Sequence, residues 1–304
     1  MEKELWQQMS DGAEVYVRKW YRPETKPKAI VQIAHGMVEH INRYREFAEY
    51  LLERDIFVYG NDHRGHGKTA VKQGRYGYFA ERDGFNRVTQ DLKEVTDEIR
   101  KEYPQAPMFL LGHSMGSFLA RNYIQNGNND LNGAVMMGTG YYPRFVSLLG
   151  RGLSFLLPAQ KESKLMHEIA FGSNNRRIAN HATRFDWLSS DSKEVQAFLD
   201  DPYTDFIPTG RFFYDLMSGL SGIHDRKLIK SVRSDLSLLF ISGGQDPVGS
   251  YEKGIWRAAH LYERAGVQDI ITMLFDEDRH EILHELNREE VFEVLHAWIN
   301  NRLT

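Results

Sequence analysis

The chain has no cysteine. That excludes disulfides, thiolate metal sites and thiol nucleophiles, although it does not fix a compartment. No apolar run approaches the about 18 residues that a membrane-spanning helix needs. The opening segment Met1-Glu2-Lys3-Glu4-Leu5-Trp6-Gln7-Gln8 lacks the apolar stretch of a secretory signal, so a soluble, cytoplasmic protein is expected. Positive charge is not in excess either. The net charge is −4, which argues against a nucleic-acid binder with a basic face. Internal repeats and low-complexity linkers are absent from the sequence. What is present is 304 residues, 41% hydrophobic and 26% charged, enough for one large α/β domain or for a core with an insertion.

The hydrophobic pattern alternates between two kinds of segment. Strands are expected at Ala13 to Tyr21, Ala29 to Ala34, Ile56 to Gly60, Pro107 to Leu111, Leu131 to Met137, Leu236 to Ile241 and Ile270 to Phe275. Helices are expected at Arg43 to Arg54, Asn86 to Tyr103, Ser117 to Ile124, Tyr251 to Ala265 and Arg288 to Arg302. Short connections between alternating elements imply a mainly parallel sheet covered by helices on both faces. From Gly140 to about Lys230 the alternation stops. The expected division is a core of residues 1–140 and 231–304, with a helical cap, 141–230, inserted after the sixth major strand.

Gly112-His113-Ser114-Met115-Gly116 sits between an expected strand and an expected helix. Strand, G-x-S-x-G, helix is the nucleophile elbow of the α/β-hydrolase fold. The turn forces the serine into a strained conformation, and residues two before and two after it must lack side chains. Gly112 and Gly116 meet that need. The null alternative for the pentapeptide alone, a glycine-rich turn without chemistry, gives way once partners are found.

A serine nucleophile needs a base, and the base needs a group to orient it. In this fold the chain order is Ser, then Asp or Glu, then His. Asp246 follows the strand ending near Ser242, in Gly243-Gly244-Gln245-Asp246-Pro247-Val248-Gly249. His280 follows the next strand, in Asp276-Glu277-Asp278-Arg279-His280. Asp276 and Asp278 are rival acids, less natural because they lie so close to His280 in sequence. His280-Glu281-Ile282-Leu283-His284 also matches the H-E-x-x-H zinc motif. That reading leaves Ser114 and Asp246 idle and lacks a third ligand at useful spacing, so no metal and no cofactor is expected. The oxyanion donors are expected to be the backbone N–H groups of Met115 and of Met37, with Gly36 freeing the backbone of the loop that meets the substrate. Glu39 and His40 are expected to brace that loop. Asp62 and Arg64 are expected to form a buried structural pair.

Taken together, His35-Gly36-Met37-Val38-Glu39-His40 with Arg43-Tyr44, Asn61-Asp62-His63-Arg64-Gly65-His66-Gly67, Gly112-His113-Ser114-Met115-Gly116, Asp246-Pro247-Val248-Gly249 and Arg279-His280-Glu281 stand in a familiar order. So do Phe185-Asp186-Trp187-Leu188-Ser189 and Asp201-Pro202-Tyr203. As a set they resemble the monoacylglycerol lipase and lysophospholipase-like α/β-hydrolases, of bacterial type, grouped with serine aminopeptidase-like sequences. The resemblance implies Ser114, Asp246 and His280 as the triad and Met37 and Met115 as oxyanion donors. Val38 departs from the eukaryotic lipases, which carry a second glycine there.

The expected activity is hydrolysis of carboxylic esters, of monoacyl lipids in particular, through an acyl-enzyme on Ser114. A peptidase or amidase using the same triad and a catalytically silent lipid-binding homologue are the alternatives. Apolar residues crowd Phe145 to Leu157. Leu149 and Leu156 are expected to line an acyl tunnel and touch substrate, or else to meet a membrane surface or simply pack the cap onto the core. The expected partner is a small lipid or ester.

Overall fold

The computed structural model describes residues 1–126 and 130–303. Among them eight strands form one sheet: β1 (Glu2–Gln8), β2 (Glu14–Trp20), β3 (Ala29–Ala34), β4 (Ile56–Asn61), β5 (Met108–His113), β6 (Gly133–Met137), β7 (Ser237–Gly243) and β8 (Ile270–Phe275). Their order across the sheet is β1-β2-β4-β3-β5-β6-β7-β8. The pairs β1 with β2 and β2 with β4 are antiparallel, and from β4 to β8 every pair is parallel. This is the α/β-hydrolase fold expected from the sequence. The central strands are buried along their whole length. They need continuous apolar runs because helices cover both faces.

β1 was not expected. Its Glu-Lys-Glu-Leu-Trp-Gln-Gln carries too little apolar alternation to announce a strand. It forms because it can pair with β2 at the sheet edge, where charged side chains also discourage pairing with another chain.

The helices are α1 (Arg45–Glu53), α2 (Gly67–Gln73), α3 (Gly84–Glu102), α4 (Met115–Gln125), α5 (Arg144–Phe155), α6 (Lys164–Phe171), α7 (Ser192–Asp200), α8 (Gly210–Gly222), α9 (Arg226–Lys230), α10 (Lys253–Glu263) and α11 (Arg288–Asn300). One apolar cluster fills the space between the sheet and α3, α4, α8 and α10. A second fills the other face, under α1 and α11. A third joins Val38, in the loop after β3, to Phe185, Trp187, Leu188, Val195 and Phe198. The stretch from Phe185 to Phe198, between β6 and β7, therefore packs against the loop after β3, whereas α8 packs with α3 and α4. No described helix is long and apolar enough to cross a membrane.

The chain leaves β3 to one neighbour, β4, and returns on its other side as β5. Open α/β sheets place their sites at such a reversal, where the loops after two adjacent strands diverge. Here those loops are His35–His40 and the turn at Ser114. Their approach is close: a Cβ on Gly116 would run into the Ala34 carbonyl, and one on Gly112 would run into the Gly116 carbonyl. Gly116→Ala is expected to destabilise the fold by about 1–3 kcal/mol through overpacking. Gly152→Ala in α5, where a Cβ meets nothing, should stabilise by about 0.5–1 kcal/mol. Denaturant unfolding of the two variants checks both signs.

Candidate active site

Ser114 has φ 51° and ψ −119°, a conformation that costs a non-glycine residue free energy. Its surroundings hold it there. Its N–H donates to Met137 O at 2.9 Å, and its carbonyl accepts from Ser117 N at 2.9 Å and Ser117 Oγ at 2.5 Å. The residues on either side are buried while Ser114 itself is only partly so. Met115 opens α4, and the first N–H groups of a helix have no partner within it.

Asp246 lies in the turn after β7 and is fully buried. Its Oδ2 accepts from Ser242 Oγ at 2.9 Å and its Oδ1 from Val248 N at 2.8 Å. Oδ1 also lies 2.9 Å from His280 Nδ1. That contact is close but off the hydrogen-bond direction, leaving Nδ1 without an aligned acceptor. Catalytic hydrogen bonds are often poorly aligned until substrate binds. Asp276 is exposed. Asp278 is pushed up to about 7 by its burial, reinforced by the charge of Glu285. The acid against the imidazole is therefore Asp246. A Cβ on Gly138, the residue after Met137, would touch the His280 and His113 rings, so the serine turn and the histidine loop meet around this glycine.

The loop after β3 passes beside the serine: a Cβ on Gly36 would sit 3.3 Å from Ser114 Cβ. Glu39 fixes this loop. Its Oε1 accepts from Gly36 N (2.5 Å), Tyr44 Oη (2.9 Å) and His113 Nδ1 (3.1 Å). Arg43 Nη1 bridges Glu39 Oε2 (3.1 Å) and Glu281 Oε1 (2.6 Å), and Nη2 donates to Glu281 Oε2 at 2.7 Å. All these groups are buried. Burial acts to raise the Glu39 carboxyl, but the His113 hydrogen bond and the Arg43 charge hold it well below the usual range. Burial acts to lower His113, and the Glu39 hydrogen bond raises it above the ordinary histidine value. Burial works against the Glu281 charge too, and Arg43 keeps that carboxyl low. The result is a buried network tying the β3 loop to the segment that carries His280.

A family model described as serine aminopeptidase, S33, matches residues 25–287. The chain belongs to this family of α/β-hydrolases. Rat monoglyceride lipase is 26% identical to it, over 97% of this chain and 89% of that protein. A putative monoglyceride lipase of Schizosaccharomyces pombe is 30% identical, over 94% of this chain and 71% of its own. Among solved structures, a highly thermostable carboxyl esterase from Bacillus coagulans superposes with a TM-score of 0.91 at 30% identity, covering 100% of this chain and 99% of that one. The chain is thus a monoglyceride lipase-like hydrolase of the esterase and lipase group.

Two expectations about this hydrolase need correction. Leu149 and Leu156 do not line a closed tunnel. They are 70% and 79% exposed, on the outer side of α5, while Ser147 and Ser154 are buried and Gly150 faces Met217 of α8. Small residues make the inner face of α5 because α8 lies so close. Asp62 and Arg64 are buried but are not a pair: Asp62 accepts from Ile41 N and Lys68 N, and Arg64 binds Asp11 and Asp91. Burial pushes Asp62 up to about 6. The H-E-x-x-H residues are not on an α-helix. His280 turns to Asp246, Glu281 to Arg43, and His284 Nδ1 lies 3.3 Å from Glu194 Oε2.

One contact was not foreseen. Arg43 and Glu281 are 238 positions apart, so only the i,i+4 spacing of Glu39 and Arg43 hinted at the network. Val38 has φ 57°, a conformation that favours glycine and strains a β-branched residue. It is buried against the third apolar cluster, where glycine would offer no side chain.

Arg43→Met would leave two buried carboxylates without their cation, and breaking such a pair costs about 3–5 kcal/mol. The low Glu39 and Glu281 carboxyls contribute stability that is present above the unfolded carboxylate range and lost as pH falls through their folded values. The loss in Arg43→Met is therefore expected to be largest near pH 7 and to shrink toward pH 4, as the orphaned acids protonate. Urea unfolding of both proteins across that range measures it.

Proposed function

We propose that the chain is a serine hydrolase of monoacyl lipid esters, working through an acyl-enzyme on Ser114. The observation that carries this reading is the strained Ser114 at the head of α4, with the Asp246 and His280 pair in contact beside the same glycine turn. The monoglyceride lipases and the carboxyl esterase among its relatives support the substrate class.

In this mechanism Ser114 Oγ attacks the ester carbonyl and its proton passes to His280 Nε2. The imidazolium then gives that proton to the departing alcohol. Asp246 holds Nδ1 and balances the positive charge. The Met115 and Met37 N–H groups meet the negative oxygen of the tetrahedral intermediate, and Glu39 fixes the Met37 loop through Gly36 N. Water attacks the acyl-enzyme by the same route in reverse.

α5 supplies a second element of the proposal. Phe145, Leu149, Phe155 and Leu156 are exposed along it, as are Leu165 and Ile169 of α6. An exposed apolar patch of this kind marks an interaction surface. It fits peripheral contact with a lipid surface from which a monoacyl substrate is drawn. The family description also keeps amide hydrolysis as a second reading, separated by comparing p-nitrophenyl esters with aminoacyl amides.

Ser114→Ala and His280→Ala should each retain the fold and lower kcat by about 10⁴-fold or more, because triad members act as a unit. Steady-state rates on a p-nitrophenyl ester test this, and a sizeable residual rate in Ser114→Ala rules the mechanism out. In the parent protein kcat/KM should fall as the pH is lowered, since the base must be neutral to take the serine proton.

A buried methylene contributes about 0.8 kcal/mol, so kcat/KM should rise roughly fourfold per added methylene until the acyl site is full. The double variant Leu149→Glu, Leu156→Glu should lose about tenfold or more on vesicle-held monoacylglycerol, and less on dissolved acetate ester. Equal losses on both substrates would remove the lipid-surface role of α5.

A further inference from the structure

The segment Asp186–Ser190, between α6 and α7, runs alongside the loop that carries His280 and is bonded to it along its length. His280 N donates to Trp187 O at 3.3 Å and Glu281 N to Leu188 O at 2.7 Å. Arg279 Nη1 donates to Asp186 O (2.6 Å) and Ser189 O (2.8 Å). Ser189 Oγ donates to His284 O at 2.8 Å. Glu285, fully buried, accepts from Ser190 N at 3.0 Å, from Ser190 Oγ, and from Arg279 N at 2.8 Å.

This strap delivers one side chain to the histidine. The Trp187 ring centroid lies 5.0 Å from that of His280, with 38° between the planes. Phe171 of α6 stacks on Trp187 at 5.7 Å and 26°. The backbone N–H of Trp187 donates to Asn175 Oδ1 at 2.8 Å, which holds the strap at this residue. Trp187 is 3% exposed, and its Nε1 has no partner among the described residues. A buried indole whose polar atom is left unpaired is not placed there for that atom, and the contact its position does supply is the ring face.

We propose that Trp187 is a positioning residue for His280: the strap lays its indole against the imidazole, so that the imidazolium formed during the reaction is held by an aromatic face from the cap side and by Asp246 from the core side. The inference rests on His280 being the base in the reaction above. The ring quadrupole attracts a cation on its face, most strongly for tryptophan. Other groups around the imidazole act on the same proton. Asp246 favours the cation, with Tyr142 packed near that carboxylate. His113, at 4.8 Å, opposes it when charged but is paired with Glu39. Glu281 is neutralised by Arg43, Glu285 takes up the Arg279 amide, Asp278 lies two residues upstream, and His284 faces Glu194. Trp187 carries no ionisable group, and its contribution follows the electron density of its ring.

That property gives a test that leaves shape unchanged. Tryptophan with one to four ring fluorines is placed at position 187 of the full chain, withdrawing electron density stepwise. The acid limb of kcat/KM against pH should move progressively lower, by about 0.5–1 unit at full fluorination, because the imidazolium loses its aromatic support. Trp187→Leu should show at least this shift, with Trp187→Phe between it and the parent.

A second arm reads the contact directly, since a protonated imidazole quenches a neighbouring indole. The fluorescence difference between the Ser114→Ala chain and the same chain with Trp187→Phe should titrate once, and that titration should disappear, leaving a constant difference, when His280→Ala is added to both. This arm needs no turnover, so it stands even if the ester reaction is the wrong one. A limb that stays in place across the fluorinated series, or that drops in height without moving, overturns the inference and leaves His280 as base. Residual activity in His280→Ala instead removes the function on which the inference rests.

Discussion

Arg43 ties together two loops that lie far apart along the chain. Its guanidinium reaches Glu39, which fixes the loop after β3, and Glu281, the residue next to His280. Three charges taken out of water are costly unless each is paired and hydrogen-bonded. Here each carboxylate oxygen has a donor, and His113 adds a fourth group between the strands. The loop beside Ser114 and the loop of the base are thereby held to one geometry. Neither loop can shift without exposing or orphaning a buried charge.

The helical segment between β6 and β7 is tied into the same frame. His40 Nε2 lies 2.9 Å from Asp201 Oδ2, and Val38 packs among Phe185, Trp187 and Leu188. The strap at Asp186–Ser190 is bonded to the histidine loop. Through these bonds the segment between β6 and β7 reaches both the loop after β3 and the loop that carries His280. The strain at Val38 fits this arrangement: its left-handed backbone carries an isopropyl group that packs with Phe185, Trp187 and Leu188.

α5 presents the opposite case, an element whose apolar side faces outward. Its inner face is made of Ser147, Gly150 and Ser154, which let it lie close along α8. Its large residues therefore have nowhere to go but the surface. A helix read from composition alone looks as if it should turn those residues inward, and here backbone proximity to a neighbour decides otherwise.

Much of this protein was legible in order along the chain. The elbow at Gly112 to Gly116 announces itself because steric exclusion at a tight turn allows only certain residues. That Asp246 and His280 come together was foreshadowed by the regular return of apolar strands, each ending in a loop at the same edge of the sheet. The parallel sheet follows from continuous apolar runs separated by helical ones. The edge strand β1, the separate partners of Asp62 and Arg64, the outward face of α5, and the meeting of Arg43 with Glu281 were not legible. Each depends on which distant segment lies alongside, and hydrophobic periodicity carries no information about that. The sequence by itself determined the local chemistry, because a turn or a buried strand restricts residue type within a few positions. Only the tertiary structure decided which charges pair and which faces are covered, because those energies arise between side chains of separate segments, as between Arg43 and Glu281.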